Sequence, residues 1–130
     1  SLLELQVLAG QAGAAIFAPD ALAEAPLAGV VGGQVIAGTV DRLLVSDTMV
    51  LVIDFKTGRR VPTSADAVSA HHKAQMAAYV AVLRGIFPDR EVRAALLYTS
   101  GPNLIPLSDI DLEPHKPGFH GQQDNLATAG

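Results

Sequence analysis

The spacing of apolar residues changes near the middle of the chain, from the period of strands to that of a helix. Between residues 38 and 57, Val, Leu and Ile fall into two short runs separated by a polar turn at residues 46–48. This pattern predicts two adjacent antiparallel strands joined as a hairpin. From Ser64 or Asp66, either of which can cap a helix, to about Ile86, the apolar residues recur at helical spacing. The second half of the pattern therefore predicts an amphipathic helix.

Shorter segments on both sides of this unit predict further strands. Residues 21–29 are one such strand, and Pro26 within it favours an edge position because proline cannot donate to a neighbouring strand. Gly32 and Gly33 predict a hairpin turn. Residues 92–99 read as a buried strand and residues 104–107 as its neighbour. Together these elements predict an α/β fold with a mixed central sheet flanked by helices.

Charged residues stand where the hydrophobic run at residues 49–57 ends. Side chains alternate along a strand, so Asp54 and Lys56 share one face with Val50 and Val52. Asp41 on the neighbouring predicted strand adds a second acid. Because an ionised carboxylate is costly to bury without a partner, both acids require a nearby cation. Two convergent carboxylates beside one lysine suit a hard divalent metal, which prefers oxygen ligands.

A purely structural interpretation of the same charges remains open. Asp54 and Lys56 can form an ion pair with each other, and Asp41 can pair with Arg42 or Arg59. Such structural pairs also perturb local charge, so the residues alone do not decide between an ion-pair network and a metal site.

Three sequence blocks occur in a specific order. They are Gly-x-x-Asp-Arg-Leu at residues 38–43, Val-Ile-Asp-Phe-Lys-Thr at residues 52–57 and Gln-Met-Ala-Ala-Tyr at residues 75–79. Together they resemble the RecB-type branch of the PD-(D/E)XK nuclease superfamily, and most closely the C-terminal nuclease domain of the AddA-type helicase-nucleases. The resemblance covers residues 24–99 and implies a restriction-endonuclease-like core. We expect a nuclease domain at residues 1–113 and, from composition, a disordered tail at residues 114–130.

The resemblance assigns a role to each charged residue of the central strands. Asp41, Asp54 and the backbone carbonyl of Phe55 would hold one or two Mg²⁺ ions, with Mn²⁺ as a possible substitute. Lys56 would orient the attacking water or help to deprotonate it. Asp41, Asp54 and Lys56 are therefore the expected catalytic residues.

The resemblance also implies a set of DNA-binding residues around this site. Gln75 would touch the DNA backbone or position a metal-bound water, and Tyr79 would pack beneath Gln75. Arg59 and Arg60 follow the acidic site directly and complete the expected DNA-binding set.

The activity implied is that of a magnesium-dependent deoxyribonuclease, specifically the exonuclease module of an ATP-dependent helicase-nuclease that repairs double-strand breaks by homologous recombination. Its expected partners are single-stranded DNA from unwinding, a covalently linked helicase domain and an AddB-like subunit. A net charge of −4 is unexpected for a domain that grips DNA by itself, but it suits a module that a motor supplies with DNA. The chain has no cysteine, which excludes cysteine-bound zinc or iron-sulfur clusters and suits the bacterial cytoplasm. Nor does any apolar run predict a membrane span.

The position of the first histidine is a departure from the family pattern, and His71, His72 and Glu24 each have a plain surface interpretation. Nucleases of this branch usually carry a metal-binding histidine on an upstream helix, whereas no histidine precedes His71. We expect that helix to lie before Ser1, so the isolated chain should bind metal weakly and cut DNA poorly. His71 and His72 diverge on a helix and are interpreted as surface or DNA-contact residues. Glu24 is interpreted as a surface or DNA-facing acid rather than a ligand.

Two alternative functions remain open. A catalytically silent nuclease-fold module could serve a structural or DNA-guiding role in a larger repair complex, although such a module has no need to retain Asp41, Asp54 and Lys56. A stand-alone restriction, resolvase or CRISPR-associated nuclease of the same superfamily is the other alternative. The acidic net charge and the lack of cysteine disfavour it.

Overall fold

The computed structural model describes residues 22–100 and 103–117. Within these residues, five strands form one sheet in the order β1-β2-β3-β4-β5, with a long helix between β3 and β4 and a short helix after β5. The elements are β1 (Leu22–Val31), β2 (Gln34–Val45), β3 (Met49–Lys56), α1 (Ala70–Ile86), β4 (Glu91–Tyr98), β5 (Asn103–Leu107) and α2 (Asp109–Leu112).

The sheet is mixed, as the sequence predicts. Strands β3 and β4 are parallel and are connected through α1, whereas the other neighbours pair antiparallel. Strand β1 lies at the edge, which confirms the interpretation of Pro26. The turn between β1 and β2 has positive φ at Gly32 (56°) and Gly33 (80°), the conformation of a tight hairpin turn in which glycine is favoured.

The two faces of β3 bury different residues, as the alternation predicts. Val50 and Val52 belong to the large core cluster that packs under α1, together with Met76 and Leu83. Leu51 and Ile53 lie on the opposite face in a smaller buried cluster with Ala95. Both faces of β3 are therefore apolar until the strand reaches Asp54, the one buried charged residue of the described chain.

The start of α1 differs from the prediction. Ser64 precedes only a 3₁₀ turn (Ala65–Ala67), which ends at Val68, where the backbone returns to an extended conformation with ψ of 139°. The α-helix is capped by Ser69, whose hydroxyl accepts a hydrogen bond from the His72 N–H at 3.2 Å. The prediction of Ser64 or Asp66 as the cap was wrong. Val68 is buried (5% exposed) with an extended backbone, so it separates the 3₁₀ turn from α1.

The observed cap makes a testable difference between two serines. Ser69→Ala should lower the free energy of unfolding by about 1 kcal/mol, because the His72 N–H loses its acceptor. Ser64→Ala, the matched control, should cost less because the Ser64 side chain makes no capping hydrogen bond. Urea denaturation followed by circular dichroism measures both. Equal losses would contradict the assignment of Ser69 as the cap.

The chain after β5 is ordered further than predicted. Residues 109–112 form α2, which begins with a capping box. The Ser108 hydroxyl accepts from the Asp111 N–H, and the Asp111 carboxylate accepts from the Ser108 N–H. A 3₁₀ turn (Glu113–His115) follows. Leu112 is 4% exposed and joins the main core, so its burial anchors this segment. The predicted tail therefore does not begin at residue 114. The remainder of that prediction, residues 118–130, lies outside the described residues, as does the start of the predicted domain before residue 22.

No helix among the described residues has both the length and the apolar character needed to cross a bilayer.

Candidate active site

Side chains along β2 stop alternating between the two faces of the sheet near Asp41, the first acid of the site. Val40 and Leu43 are both buried in the core cluster under α1, although strict alternation would place residues three apart on opposite faces. The guanidinium of Arg42 lies on the other face, 5.1 Å from the ring centroid of Phe55. The break in the alternation therefore falls between Val40 and Arg42, at Asp41. Such local irregularities in strands often re-aim a side chain beside an active site.

Edge strand β1 is also irregular, at the residue that lies opposite Asp41. Pairing between β1 and β2 includes Ala23 with Arg42 and Ala25 with Val40, but Glu24, opposite Asp41, is omitted from the ladder. Glu24 has φ of 50°, the only positive value at a non-glycine residue in the described chain. Its side chain is exposed. The interpretation of Glu24 as a surface acid fits this exposure, and its contact with DNA stays a prediction.

The Asp41 carboxylate is held by the backbone of β3. The last pair of the β2–β3 ladder is Arg42 with Ile53. Just beyond it, Asp41 Oδ2 accepts a hydrogen bond from the Phe55 N–H at 2.7 Å. The side chains of Asp41 and Asp54 are close enough for each to shift the pKa of the other. The two predicted acids therefore lie near each other at the end of β3, and their catalytic role stays a prediction.

Lys56 connects this acidic pair to α1. Its Nζ lies 2.7 Å from Asp54 Oδ2 and donates to Gln75 Oε1 at 3.2 Å. The side chains of Lys56 and Asp54 are only 16% and 10% exposed, so these contacts are largely shielded from water. The predicted face of α1 thus looks at the site, with Gln75 in contact with the lysine.

The structural interpretation of these charges accounts for only part of the arrangement. The ion pair between Asp54 and Lys56 exists. Arg42 donates to the backbone carbonyl of Asp41 at 2.8 Å, and its charge helps to lower the pKa of the Asp41 carboxyl, which accepts from the Phe55 N–H. The ion pair of Asp54 and Lys56 does not by itself require a second acid held against the backbone of β3, so a binding or catalytic role explains more of the arrangement.

The surroundings shift the pKa values of the two acids in opposite directions. Burial raises the pKa of Asp54, and the contact with Asp41 raises it further, while Lys56 opposes both effects. Burial also acts to raise the pKa of Asp41, but the contact with Asp54, the Phe55 N–H and the charge of Lys56 outweigh it, so the pKa of Asp41 is lowered. Opposite shifts of this kind are expected for two neighbouring carboxylates that interact. A divalent cation held by these residues would supply positive charge to the pair.

The donor set of this site fits a hard divalent metal. Two acidic side chains offer oxygen ligands, and the buried Asp54 carboxylate has an electrostatic need for positive charge. The described residues contain no cluster of three or more histidine or acidic side chains that could hold an ion by themselves. A metal here would therefore need further oxygen donors, and the Phe55 carbonyl stays a predicted one.

Tyr79 lies deeper than a DNA-contact residue would. It is 6% exposed and packs against Gly38 of β2. Burial raises the pKa of Tyr79, and the negative charge of Asp54 adds to that effect. The prediction that Tyr79 packs beneath Gln75 fits this position. Its ring has almost no accessible surface in this structure, and a contact of Tyr79 with DNA stays a prediction.

His72 is the neighbour of the site that sequence reasoning missed. His71 is exposed, whereas His72 is partly buried and lies close enough to Lys56 for the charge of the lysine to act on it. Burial lowers the pKa of His72, and the positive charge of Lys56 lowers it further. The signal was available, because His72 precedes Gln75 by three residues and this spacing also shares a helical face.

Arg59 and Arg60 lie in the exposed loop after β3. Neither forms an ion pair or hydrogen bond with the part of the chain that the structure describes. Both guanidinium groups are available at the end of the strand that carries Lys56. Their contact with DNA, like that of Gln75, stays a prediction.

Comparison with known proteins identifies the family of this chain. A family model of the PD-(D/E)XK nuclease superfamily matches residues 3–123. Among solved structures, the crystal structure of SSO0001 is similar with 18% identity and a TM-score of 0.49, over 98% of this chain and 57% of that chain. This chain thus spans a little over half the length of that protein, and curated proteins offer no significant match. Because the family model covers nearly the whole chain, and the mixed sheet with its flanking helices agrees with it, the chain belongs to the PD-(D/E)XK nuclease superfamily.

Proposed function

We propose that this protein is a metal-dependent deoxyribonuclease that hydrolyses phosphodiester bonds at the site formed by Asp41, Asp54 and Lys56. The observation that carries the proposal is the buried Asp54 carboxylate, paired with Lys56 at the end of β3, with the partly buried Asp41 carboxylate bonded to the next residue of the same strand. Membership of a nuclease superfamily supports the reaction class. The choice of DNA as the substrate is part of the proposal.

Asp41, Asp54 and the Phe55 carbonyl would hold Mg²⁺, or Mn²⁺ in its place. When bound, such an ion supplies positive charge that polarises the scissile phosphate and stabilises the developing negative charge. The chain itself holds Asp41 in place through the Phe55 N–H, so one ligand is oriented before any ion arrives. Pre-orientation of this kind lowers the reorganisation that catalysis would otherwise require.

Lys56 is placed to act on the attacking water. An ammonium group has three N–H donors, and two of them are directed at Asp54 and Gln75. The remaining donor can hold a water or a phosphate oxygen at the partly exposed side of the site. The resemblance also implies that Lys56 helps to deprotonate that water.

The narrower proposal is an exonuclease module of an AddA-type helicase-nuclease that acts in recombinational repair in the bacterial cytoplasm. The three sequence blocks support it, and so do the acidic net charge and the lack of cysteine. In this proposal single-stranded DNA reaches the site from a linked helicase domain, and an AddB-like subunit is the partner. Arg59 and Arg60, exposed at the end of β3, would contact its phosphates.

One observation favours a second candidate, a catalytically silent module that guides DNA. The described residues provide two acidic ligands but no third acidic or histidine ligand beside them. A site with so few ligands binds metal weakly, and a module in a larger complex could retain the fold for binding alone.

A cleavage assay separates these two candidates. The 130-residue chain should be incubated with end-labelled single-stranded DNA, duplex DNA and single-stranded RNA, each with Mg²⁺, Mn²⁺ or a chelator. We expect slow metal-dependent cleavage of single-stranded DNA, with none in the chelator, because Asp41 and Asp54 need a cation to act on phosphate. DNA binding without cleavage under all metal conditions would support the silent module, and cleavage of RNA alone would overturn the choice of substrate.

A further inference from the structure

The loop at residues 57–64, which follows β3, is fixed at its start to the residues that follow β4. The Thr99 N–H donates to the Lys56 carbonyl at 2.9 Å, and the Thr99 hydroxyl donates to the same oxygen at 3.3 Å. One residue further along both segments, the Ser100 hydroxyl donates to the Thr57 carbonyl at 2.9 Å. The backbone contact continues the parallel pairing of β3 with β4, but the two hydroxyl contacts go beyond what the sheet requires.

The same loop is fixed again towards its far end. Asn103, the first residue of β5, donates from its side-chain amide to the Pro62 carbonyl at 3.0 Å. Val61, beside that proline, is partly buried and packs against the main core cluster. Residues 58–60, between the two fixed ends, are exposed. The loop is therefore a short exposed span that is tied to the fold on both sides.

This exposed span carries two arginines. Arg59 and Arg60 form no ion pair with the described part of the chain, and they follow Lys56 closely in the sequence. Guanidinium groups bind phosphate through paired N–H donors. Holding such groups in place before a ligand arrives reduces the conformational freedom that is lost on binding. A loop of this kind therefore suits contact with the phosphates of a bound strand.

Burial does not explain the side-chain contacts to this loop. Thr57 is exposed, so water could satisfy its carbonyl without Ser100. Ser100 is exposed as well, so its hydrogen bond adds little to the stability of the whole fold. Such contacts do restrict the loop, because they fix backbone that lies outside helix and sheet. The position of the arginines explains these contacts better than the stability of the fold does.

We propose that Ser100 and Asn103 are positioning residues that hold this loop so that Arg59 and Arg60 meet the phosphates of a bound nucleic-acid strand. Both residues act through the loop, and neither touches the nucleic acid. This inference deepens the proposed function and rests on it, because the two arginines are the phosphate contacts proposed for that site. Residues outside the carboxylates and the lysine therefore control affinity rather than chemistry.

The first test removes the two side-chain contacts and leaves every charge in place. The double variant Ser100→Ala, Asn103→Ala should bind fluorescein-labelled single-stranded DNA about threefold to tenfold more weakly, because the loop must then be ordered on binding. Fluorescence anisotropy at low salt, with a chelator to prevent cleavage, measures Kd. Ser46→Ala is the matched control, since its hydroxyl donates to the Met49 carbonyl at 3.1 Å in the exposed turn at the other end of β3. It should leave Kd unchanged.

The second test asks whether the loss acts through the arginines. The double variant Arg59→Ala, Arg60→Ala should itself bind DNA more weakly, because phosphate contacts are lost. In that background, removal of the Ser100 and Asn103 side chains should cause no further loss, since the loop has no guanidinium left to present. Equal losses in both backgrounds would show a general loosening of the fold and would overturn the positioning role. So would a wild-type Kd for the arginine variant, or a wild-type chain that binds no DNA.

Cleavage kinetics separate this inference from the proposed nuclease function. In the Ser100→Ala, Asn103→Ala variant, KM should rise by the same factor as Kd while kcat keeps its wild-type value, because the carboxylates and the lysine of the site are untouched. If this variant binds DNA more weakly through the arginines but the wild-type chain cleaves no nucleic acid, the positioning role stands and the nuclease function fails. If the wild-type chain cleaves DNA and the variant has the wild-type Kd and KM, the nuclease function stands and the positioning role is overturned.

Discussion

Asp54→Asn is expected to remove metal binding and to lower the rate of DNA cleavage by at least about a hundredfold to a thousandfold. The substitution keeps the size of the side chain but removes the charge that a divalent ion would neutralise. Losing one preorganised electrostatic contact with a developing charge typically has an effect of this size. Isothermal titration with Mg²⁺ or Mn²⁺ measures binding, and single-turnover assays with excess protein measure cleavage even if the wild-type chain is slow.

The same substitution should leave the fold intact, which separates lost chemistry from lost structure. Burial and the contact with Asp41 raise the pKa of Asp54 in the folded state above the unfolded value of 3.8. The stability that this group contributes is therefore fully present below pH 3.8 and is lost as the pH rises through the folded-state pKa. At neutral pH, asparagine resembles the protonated acid, so without metal the variant should have a Tm at least equal to that of the wild type.

The control for this experiment is Asp47→Asn, an acid-to-amide change in the exposed turn between β2 and β3. It should leave metal binding and cleavage unchanged. Addition of Mn²⁺ should raise the Tm of the wild type and of Asp47→Asn, but not that of Asp54→Asn, because only a ligand that binds the folded state stabilises it. Undiminished metal binding by Asp54→Asn would show that the ion sits elsewhere, and Asp41 and Asp54 would then be structural charges.

Lys56→Met should change rate and metal affinity in opposite directions. Without the amine, cleavage should fall by about 10²–10⁴-fold, the usual contribution of a positioned proton-transfer group. Metal should bind more tightly, because the ammonium, 2.7 Å from Asp54 Oδ2, competes with the ion for that carboxylate. Kinetics at saturating metal, together with calorimetry of metal binding, measure the two effects independently.

The stability of Lys56→Met should also depend on metal. Lys56 acts to lower the pKa of Asp54, so its loss leaves a buried carboxylate with less compensation and a lower Tm in the absence of metal. Metal should restore most of that loss. Lys116→Met is the matched control, since this lysine is paired with Glu113 at 2.8 Å, far from the site in the chain and after α2. If Lys56→Met cleaves DNA within a few-fold of the wild type, Lys56 has no catalytic role; if metal binds more weakly, the lysine organises the ligands rather than competing with the ion.

Local patterns were sufficient to predict most of the elements and the chemical content of the site. Strand alternation and turn residues predicted the hairpin of β2 and β3. Proline geometry predicted the edge position of β1 and the end of α1 before Pro88. Asp41, Asp54 and Lys56 could be selected because charges at the end of an apolar strand are unusual, and because three sequence blocks resemble one family. Both signals are contained within short stretches of chain.

Other features depend on neighbours that are distant in the sequence. Which of Ser64 and Ser69 caps α1 depends on the burial of Val68 in the core, which no local capping rule includes. The order of residues 109–115 likewise depends on the burial of Leu112 against the rest of the fold. In each case the local sequence allowed two conformations, and packing against the rest of the fold selected one of them.

The sequence by itself determined which groups are available: two acids, a lysine and a glutamine, on elements whose order brings the end of β3 near α1. Only the tertiary structure decided how they meet. The break in the alternation of β2 falls at Asp41, whose carboxylate accepts from the Phe55 N–H beside Asp54, and Gly38 leaves room for the Tyr79 hydroxyl. The physical reason is that side-chain periodicity is a property of one strand. A break in it, or the fit between Gly38 and Tyr79, is stabilised by contacts between elements that are distant in the sequence.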